Sequence, residues 1–80
     1  MADFLPLCQV PVGDTARLRS LSLSDGPMRR RLLDLGLIEG TCITCLQRSP
    51  SGDPTAYFVR GSVIALRARD AAQIFVEPCR

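Results

Sequence analysis

Residues 28–40 carry the clearest periodic pattern in the chain. Apolar side chains recur there at helical spacing and share one narrow stripe: Met28, Leu32 and Leu35, with Leu33 at its flank. Charged side chains gather on the opposite side of the same helical wheel: Arg30, Arg31 and Asp34. This pattern predicts a helix of about two to three turns with one face to bury.

The neighbouring residues supply signals for the start and the end of this helix. Asp25 stands where a carboxylate can cap the first helical N–H groups, and Pro27 suits the first turn because its φ is fixed and it lacks an N–H. Gly36 can adopt the left-handed conformation that follows a helix, after which Leu37 would fold back onto the last turn. We therefore expect the helix to end just before Gly36.

Most of the remaining chain consists of short runs typical of β-strands. Residues 15–21 alternate between apolar and polar side chains until Leu21 breaks the alternation, so this strand is expected to end or bulge there. Further strand-like runs follow the helix: residues 41–48, 55–60, 62–66 and 74–76. Between the second and third of these runs, Gly61 and Ser62 would suit a two-residue hairpin turn.

Three segments lie outside these elements. Residues 4–13 contain two prolines, which exclude a helix and predict an extended segment or a single turn. Residues 67–73 have room for one helical turn, with Asp70 near its start. Residues 77–80 are expected to be frayed.

The order of these elements predicts a mainly β fold in a single domain, residues 1–80. It has five strands, with one short helix inserted after the first strand. A small antiparallel sheet has to close or to cover its edges, which favours a small curled barrel. Periodicity alone leaves an SH3-like barrel, an OB-fold and a half-open sheet as alternatives.

The amino-acid composition says little about which partners the protein binds. The net charge is +2, and all ten basic residues are arginine, for which biased composition is a simpler explanation than a functional need. The N-terminal residues lack the features of a signal peptide, and no stretch reaches the ~18 apolar residues of a membrane span. We expect a cytoplasmic protein that does not insert into the membrane.

Cys42 and Cys45 are the main candidates for metal or redox chemistry. Zinc ligands and redox pairs need two sulfurs that converge, whereas residues three apart on a strand face opposite sides of the sheet. The sequence has no histidine, and the other cysteines, Cys8 and Cys79, stand alone near the chain ends. We therefore favour buried structural thiols, with no cofactor and no disulfide; a zinc, iron or redox domain built on Cys42 and Cys45 is the alternative.

The sequence offers no convincing catalytic group. Without histidine or lysine, a serine or cysteine nucleophile lacks its usual base, and the glycines stand singly at turns and not in a phosphate-binding loop. The aromatic residues do not alternate with arginine as they do in RNA-stacking surfaces, and the net charge is low. We expect neither an enzyme nor a nucleic-acid partner, although a nucleic-acid-binding small barrel stays open as a second alternative.

Binding to another protein has better candidates. Arg29, Arg30 and Arg31 could contact phosphate or an acidic partner, but they point about 100° apart, and a solvated helix flank in which Arg31 pairs with Asp34 is an equal alternative. A long loop on a small barrel is a common recognition surface, and one is expected at residues 49–54. The candidates in this loop are Pro50, Ser51, Gly52, Asp53 and Pro54. They are also ordinary turn formers that could simply reverse the chain.

Several motifs resemble the ferrous iron transport protein A (FeoA) family. The helix and its end match as Arg-Arg-Arg-Leu-Leu-Asp-Leu-Gly-Leu-Ile-x-Gly, followed by Gly52-Asp53-Pro54, Arg60-Gly61 and Leu66-Arg67. The similarity extends over residues 7–76. The chain departs from the family at Glu39, where proline is common, and at Ser51, where an apolar residue is common.

This resemblance implies both a fold and a function. FeoA proteins share an SH3-like barrel with the C-terminal domains of some iron-dependent repressors. The family would make this chain an accessory protein of bacterial ferrous iron uptake. It would dock on the membrane transporter, at its cytoplasmic GTP-binding portion or an exposed helix, and tune its opening or assembly. The resemblance does not itself identify the contact face. As a binding module, the barrel would offer residues 49–54, the arginines 29–31 and the hairpin tip Arg60-Gly61 as contacts, and small barrels can also pair as homodimers through exposed strand edges.

Overall fold

The computed structural model describes residues 4–23 and 26–79, which form one curved antiparallel sheet with two helices. The strands in chain order are β1 (Leu5–Pro6), β2 (Thr15–Leu21), β3 (Cys42–Arg48), β4 (Thr55–Val59), β5 (Ser62–Leu66) and β6 (Ile74–Pro78). Helix α1 (Pro27–Asp34) lies between β2 and β3, and the single turn α2 (Ala68–Ala71) lies between β5 and β6. A 3₁₀ turn, Leu7–Gln9, follows β1.

The sheet order is β1-β6-β2-β3-β4-β5, and every neighbouring pair is antiparallel. The predicted extended segment or turn at residues 4–13 is confirmed, because β1 and the 3₁₀ turn both lie within it. The register of β2 against β6 shifts between Leu18 and Ser20, and β2 ends at Leu21. The prediction of a strand that ends at Leu21 is therefore confirmed.

Helix α1 ends as its sequence predicts. Gly36 has a φ of 97°, and its N–H donates to the Leu33 carbonyl at 3.0 Å, while the Leu37 N–H donates to the Leu32 carbonyl at 3.0 Å. These two bonds form a Schellman cap, which satisfies carbonyls at the helix end. Pro27 is the first residue of α1. The predicted cap Asp25 lies outside the described residues.

The core lies between the inner face of the sheet and the apolar stripe of α1. Leu32 and Leu37 are fully buried, and Met28 and Leu35 pack against the same cluster from the periphery. The inner face of the strands supplies the other large buried side chains: Leu18, Ile43, Tyr57, Val59, Ile74 and Val76. The apolar stripe predicted for residues 28–35 is therefore the face that α1 buries.

Two local predictions were wrong. The hairpin turn between β4 and β5 consists of Arg60 and Gly61, since Val59 lies opposite Ser62. Both turn residues have a positive φ, 48° and 83°, which is the geometry of a type I′ turn. The error arose because a glycine suits either central position of such a turn.

The expected frayed tail is also incorrect for residues 77–79. Glu77 lies opposite Arg17 and Pro78 opposite Ala16 at the end of β6, and the Cys79 N–H donates to the Thr15 carbonyl at 3.1 Å. Pairing with β2 orders this segment, which has too few apolar residues to be recognised as a strand. Arg80 lies outside the described residues.

Candidate partner-binding surface

The three consecutive arginines of α1 differ in their environments. Arg29 is half-buried and points back towards the segment that precedes the helix, where its Nη1 donates to the carbonyls of Leu23 at 3.0 Å and Leu21 at 3.3 Å. It therefore ties α1 to the end of β2. Of the three, Arg29 contributes least to an accessible surface.

Arg30 and Arg31 are exposed and share a shallow depression on the outer side of α1. The remaining residues that line it are Gly26, Pro27, Asp34 and Leu35. No ion pair joins Arg31 to Asp34 within the described part of the chain, so the pairing named as part of the solvated-flank alternative is not observed. This side of the helix therefore presents two guanidinium groups to solvent.

The hairpin tip meets the end of α1. The Arg60 side chain crosses Gly36 so closely that a Cβ atom at that glycine would overlap the Arg60 Cδ and lie 2.8 Å from its Nε. A cation near the C-terminus of a helix is favourable because the free carbonyls there carry partial negative charge. Arg60 thus lies at the C-terminal end of the helix that carries Arg30 and Arg31. We name Arg30, Arg31, Arg60 and Gly61 together the helix–tip surface.

The loop at residues 49–54 is closed by its own hydrogen bonds. The Gly52 N–H donates to the Ser49 carbonyl at 2.7 Å, and the Ser49 N–H donates to the Pro54 carbonyl at 3.2 Å. Ser51 Oγ donates to the Asp53 carbonyl at 3.0 Å, and the Asp53–Pro54 peptide bond is cis. Pro50, Ser51, Gly52 and Pro54 are exposed at the outside of this closed loop.

Asp53 has a structural role that its place in a turn motif did not reveal. Its Oδ1 accepts a hydrogen bond of 2.8 Å from the backbone N–H of Ala68, the first residue of α2. A carboxylate at a helix N-terminus satisfies an otherwise free N–H and interacts favourably with the helix dipole. Asp53 therefore fastens the loop to α2, fifteen residues further along the chain.

Replacing Asp53 by alanine is expected to lower the free energy of unfolding by about 1 kcal/mol, the usual cost of losing a side-chain cap. Asp53→Asn keeps an oxygen acceptor at the same position and should retain most of this stability. Urea unfolding followed by circular dichroism would measure both variants. Equal losses in the two variants would contradict a capping role, because they would indicate that the negative charge alone matters.

These contacts divide the candidate residues into two surfaces. The loop joins β4 at Thr55, whereas the hairpin tip follows Val59 at the opposite end of the same strand. A strand rises about 3.3 Å per residue, so roughly 13 Å of β4 separates the two. The helix–tip surface contains Arg30, Arg31, Arg60 and Gly61, and the loop surface contains residues 49–54.

Cys42 and Cys45 face opposite sides of β3, as their spacing predicts. Cys42 is exposed, whereas Cys45 is fully buried in the core, and this burial raises the pKa of its thiol. Cys79 is the neighbour of Cys42. The pKa of the Cys79 thiol is raised mainly by burial, and also by the charge of Cys42 and by a hydrogen bond to that residue. This proximity could not be predicted from the sequence, because it depends on β3 and β6 both pairing with β2.

The environment of the cysteines bears on metal binding. In residues 4–23 and 26–79, no group of three or more Cys, Asp or Glu side chains is placed to hold a metal ion. A structural zinc site takes four such ligands, and Cys42 and Cys79 would supply two. Cys42 and Cys45 lie on opposite faces of β3, so their sulfurs do not converge as two ligands of one ion would.

Arg48 is a further structural residue that the sequence analysis missed. Its guanidinium group donates to the carbonyl of Val10 at 2.8 Å, and more weakly to Cys8 O and Thr55 Oγ1, both at 3.4 Å. It therefore anchors the 3₁₀ turn to the end of β3. Next to it lies the fully buried Tyr57, whose pKa is raised mainly by burial.

The fold and these surfaces define a class of protein: a small SH3-like β-domain with a basic helix–tip surface. None of the helices in the described ranges has the length and apolar character needed to cross a membrane. The sequence-family model of the FeoA domain matches residues 5–78 of this chain. The chain therefore belongs to the FeoA family, as its sequence predicts. The mainly β antiparallel fold is also confirmed, but the sheet has six strands and not five, because the two-residue strand β1 was predicted only as part of an extended segment.

Three similar proteins illustrate this relationship. A curated fusion of Fe(2+) transport protein A with the Fe(2+) transporter FeoB, from Porphyromonas gingivalis, is 35% identical over 71 residues. That match covers 89% of this chain but only 8% of the fusion protein. The solution structure of FeoA from Chlorobium tepidum has a TM-score of 0.88 at 32% identity and covers 95% of this chain and 71% of that one.

The third is a crystal structure of FeoA from Stenotrophomonas maltophilia in complex with zinc, described as a prokaryotic SH3 domain protein. It has a TM-score of 0.79 at 26% identity, and the match covers 89% of this chain and 87% of that one. This comparison identifies the curved sheet as the SH3-like barrel among the three alternatives that periodicity left open.

Proposed function

We propose that this chain acts as an accessory domain of ferrous iron uptake, which binds the membrane transporter at its cytoplasmic GTP-binding portion. The observation that carries this proposal is the Porphyromonas gingivalis fusion, in which a related sequence is joined to the transporter in one polypeptide. Fusion of two domains raises their effective concentration, which benefits partners that work in contact. The same reasoning favours a cytoplasmic location and a binding module over an enzyme.

The helix–tip surface is the contact that the geometry supports best. Arg30 and Arg31 are exposed on α1, and the packing of Arg60 across Gly36 holds a third guanidinium group at the C-terminal end of that helix. Arginine clusters bind carboxylates through paired hydrogen bonds, so the complementary surface on the transporter should be acidic. Residues 49–54 form a second candidate contact, since their closed hydrogen-bonded shape presents four exposed residues without further ordering.

Titration of the isotope-labelled chain with the transporter's cytoplasmic domain would test this proposal. We expect the backbone amide signals of Arg30, Arg31 and Arg60 to shift, and the affinity to fall as salt is added, because exposed charges are screened. Replacing both Arg30 and Arg31 by glutamine should weaken binding roughly tenfold, which corresponds to ~1.4 kcal/mol.

Arg17→Gln is the matched control, because Arg17 is also an exposed arginine but lies on β2, opposite Cys42 and Glu77, and is not part of the helix–tip surface. The affinity of this variant for the transporter's cytoplasmic domain should stay within about twofold of that of the unchanged chain. Shifts confined to residues 49–54 would move the contact to the loop surface. An unchanged spectrum at saturating transporter domain would rule out direct docking.

A further inference from the structure

The two edges of the sheet differ in how well they are protected. At one edge, β1 has only two residues, and one of them is Pro6, which has no N–H to offer. At the other edge, β5 has five residues, Ser-Val-Ile-Ala-Leu, without a charge or a proline. Proteins normally protect exposed edges with charges, prolines or short strands, because a bare edge can pair with another strand.

The hairpin geometry identifies the backbone groups at this edge. Val59 and Ser62 flank the two-residue turn and form a hydrogen-bonded pair, so hydrogen-bonded and non-hydrogen-bonded pairs alternate along β4 and β5. Ile64 is therefore bonded to β4, whereas the N–H and C=O groups of Val63 and Ala65 point away from it. These four groups are directed outwards from the edge of the sheet.

The side chains along the edge are also unusual for a solvent-facing strand. Val63 is 62% exposed, and Phe58, directly opposite on β4, is 43% exposed. Ile64 and Leu66 point into the core, which holds β5 firmly in place. The strand thus combines a rigid backbone with an apolar outer surface.

We propose that β5 is a self-association site, at which two copies of this chain pair antiparallel around Ile64. In this register Val63 of one copy lies opposite Ala65 of the other, and the four outward groups of each strand form the hydrogen bonds of a continuous sheet. Val63 covers the small Ala65 side chain of the second copy and shields Phe58 beside it.

The charges around β5 favour a second copy as the occupant. The strand has no charged side chain, so self-pairing brings no like charges into direct opposition. The register places Arg67 opposite Gly61 of the second copy, where the absence of a side chain leaves room for the arginine. Two aspartates, Asp53 and Asp70, lie near Arg67 and Arg69 and balance their charge. Arg60 of the second copy therefore approaches a region without net positive charge.

The predicted association is weak. The interface consists of two five-residue strands, and each strand contributes one apolar pair. The surface area that it buries is below the ~1,200 Å² of standard complexes, so we expect a dissociation constant of about 0.1–1 mM. The dimer would therefore form only where the protein is concentrated.

Sedimentation equilibrium of the chain alone, over a range of concentrations, tests this proposal independently of any transporter. We expect the average mass to rise with concentration and the amides of Val63 and Ala65 to become protected from solvent exchange in parallel. Val63→Lys should raise the dissociation constant at least ~tenfold, because it places a charge at the centre of the paired edge.

Val12→Lys is the matched control, since Val12 is 52% exposed and lies outside the strands. It adds the same charge and should leave association unchanged. A second variant, Ala65→Pro, removes only an outward N–H and should also give a folded monomer. A monomer at every concentration, or a dimer that survives Val63→Lys, would overturn the proposal.

Discussion

Replacing Leu32 by alanine is expected to lower the free energy of unfolding by about 2–5 kcal/mol, the range for deleting a buried leucine side chain. Leu32 is 1% exposed and lies at the centre of the stripe that α1 buries against the sheet. The variant would lose apolar contacts and leave a cavity in a small core. Since small domains have ~5–10 kcal/mol of stability in total, the midpoint of urea unfolding should fall by about half.

The adjacent Leu33 provides the matched control for this experiment. It is the same residue type on the same helix, but it is 41% exposed, because the helical rotation turns it away from the core. Leu33→Ala should cost less than about 1 kcal/mol. Equal losses at both positions would mean that α1 does not bury the predicted face.

Elements with local signals could be predicted from the sequence. The end of α1 is encoded within a few residues, because Gly36 tolerates a positive φ and Leu37 supplies the apolar contact of the cap. Strand β2 was predicted from the alternation of Ala16 and Leu18 with polar neighbours, and its bounds, Thr15–Leu21, match the prediction. In each case the physical cause lies inside the segment itself.

The errors arose where the cause lies elsewhere in the chain. Pro78 and Cys79 are ordered by β2, whose residues Thr15 and Ala16 are more than sixty positions earlier. Nothing within residues 77–80 indicates this pairing, because the segment is short and lacks apolar alternation. A proline at a strand end also resembles an interruption until its partner strand is known.

The candidate site likewise combines features that have local signals with contacts that depend on distant parts of the chain. The sequence identified exposed arginines and a turn-rich loop, but not the contacts that give them their roles. Arg60 packs on Gly36, Asp53 caps α2, and Arg48 donates to the Val10 carbonyl across 38 positions. Such contacts follow from the sheet order, which local periodicity does not specify. The helix–tip surface therefore became visible only in the folded structure.

Gly36→Ala should lower the free energy of unfolding by about 2 kcal/mol, because two separate costs add. An alanine at a φ of 97° is strained by about 1–2 kcal/mol, and its Cβ would overlap the Arg60 side chain. Arg60 would have to leave the helix end, which should also shift the amide signals of the hairpin tip. Urea unfolding and an amide spectrum of the variant would measure both effects.

Gly40→Ala separates the two costs, because Gly40 has a similar φ of 93° but nothing within 4 Å of its Cβ position. It should show the backbone strain alone, about 1 kcal/mol or slightly more. In an Arg60→Ala background, the cost of Gly36→Ala should fall to this same value, since the overlapping side chain is gone. If Arg60→Ala leaves the cost of Gly36→Ala unchanged, then the tip does not pack on the helix end, and the helix–tip surface loses the contact that unites it.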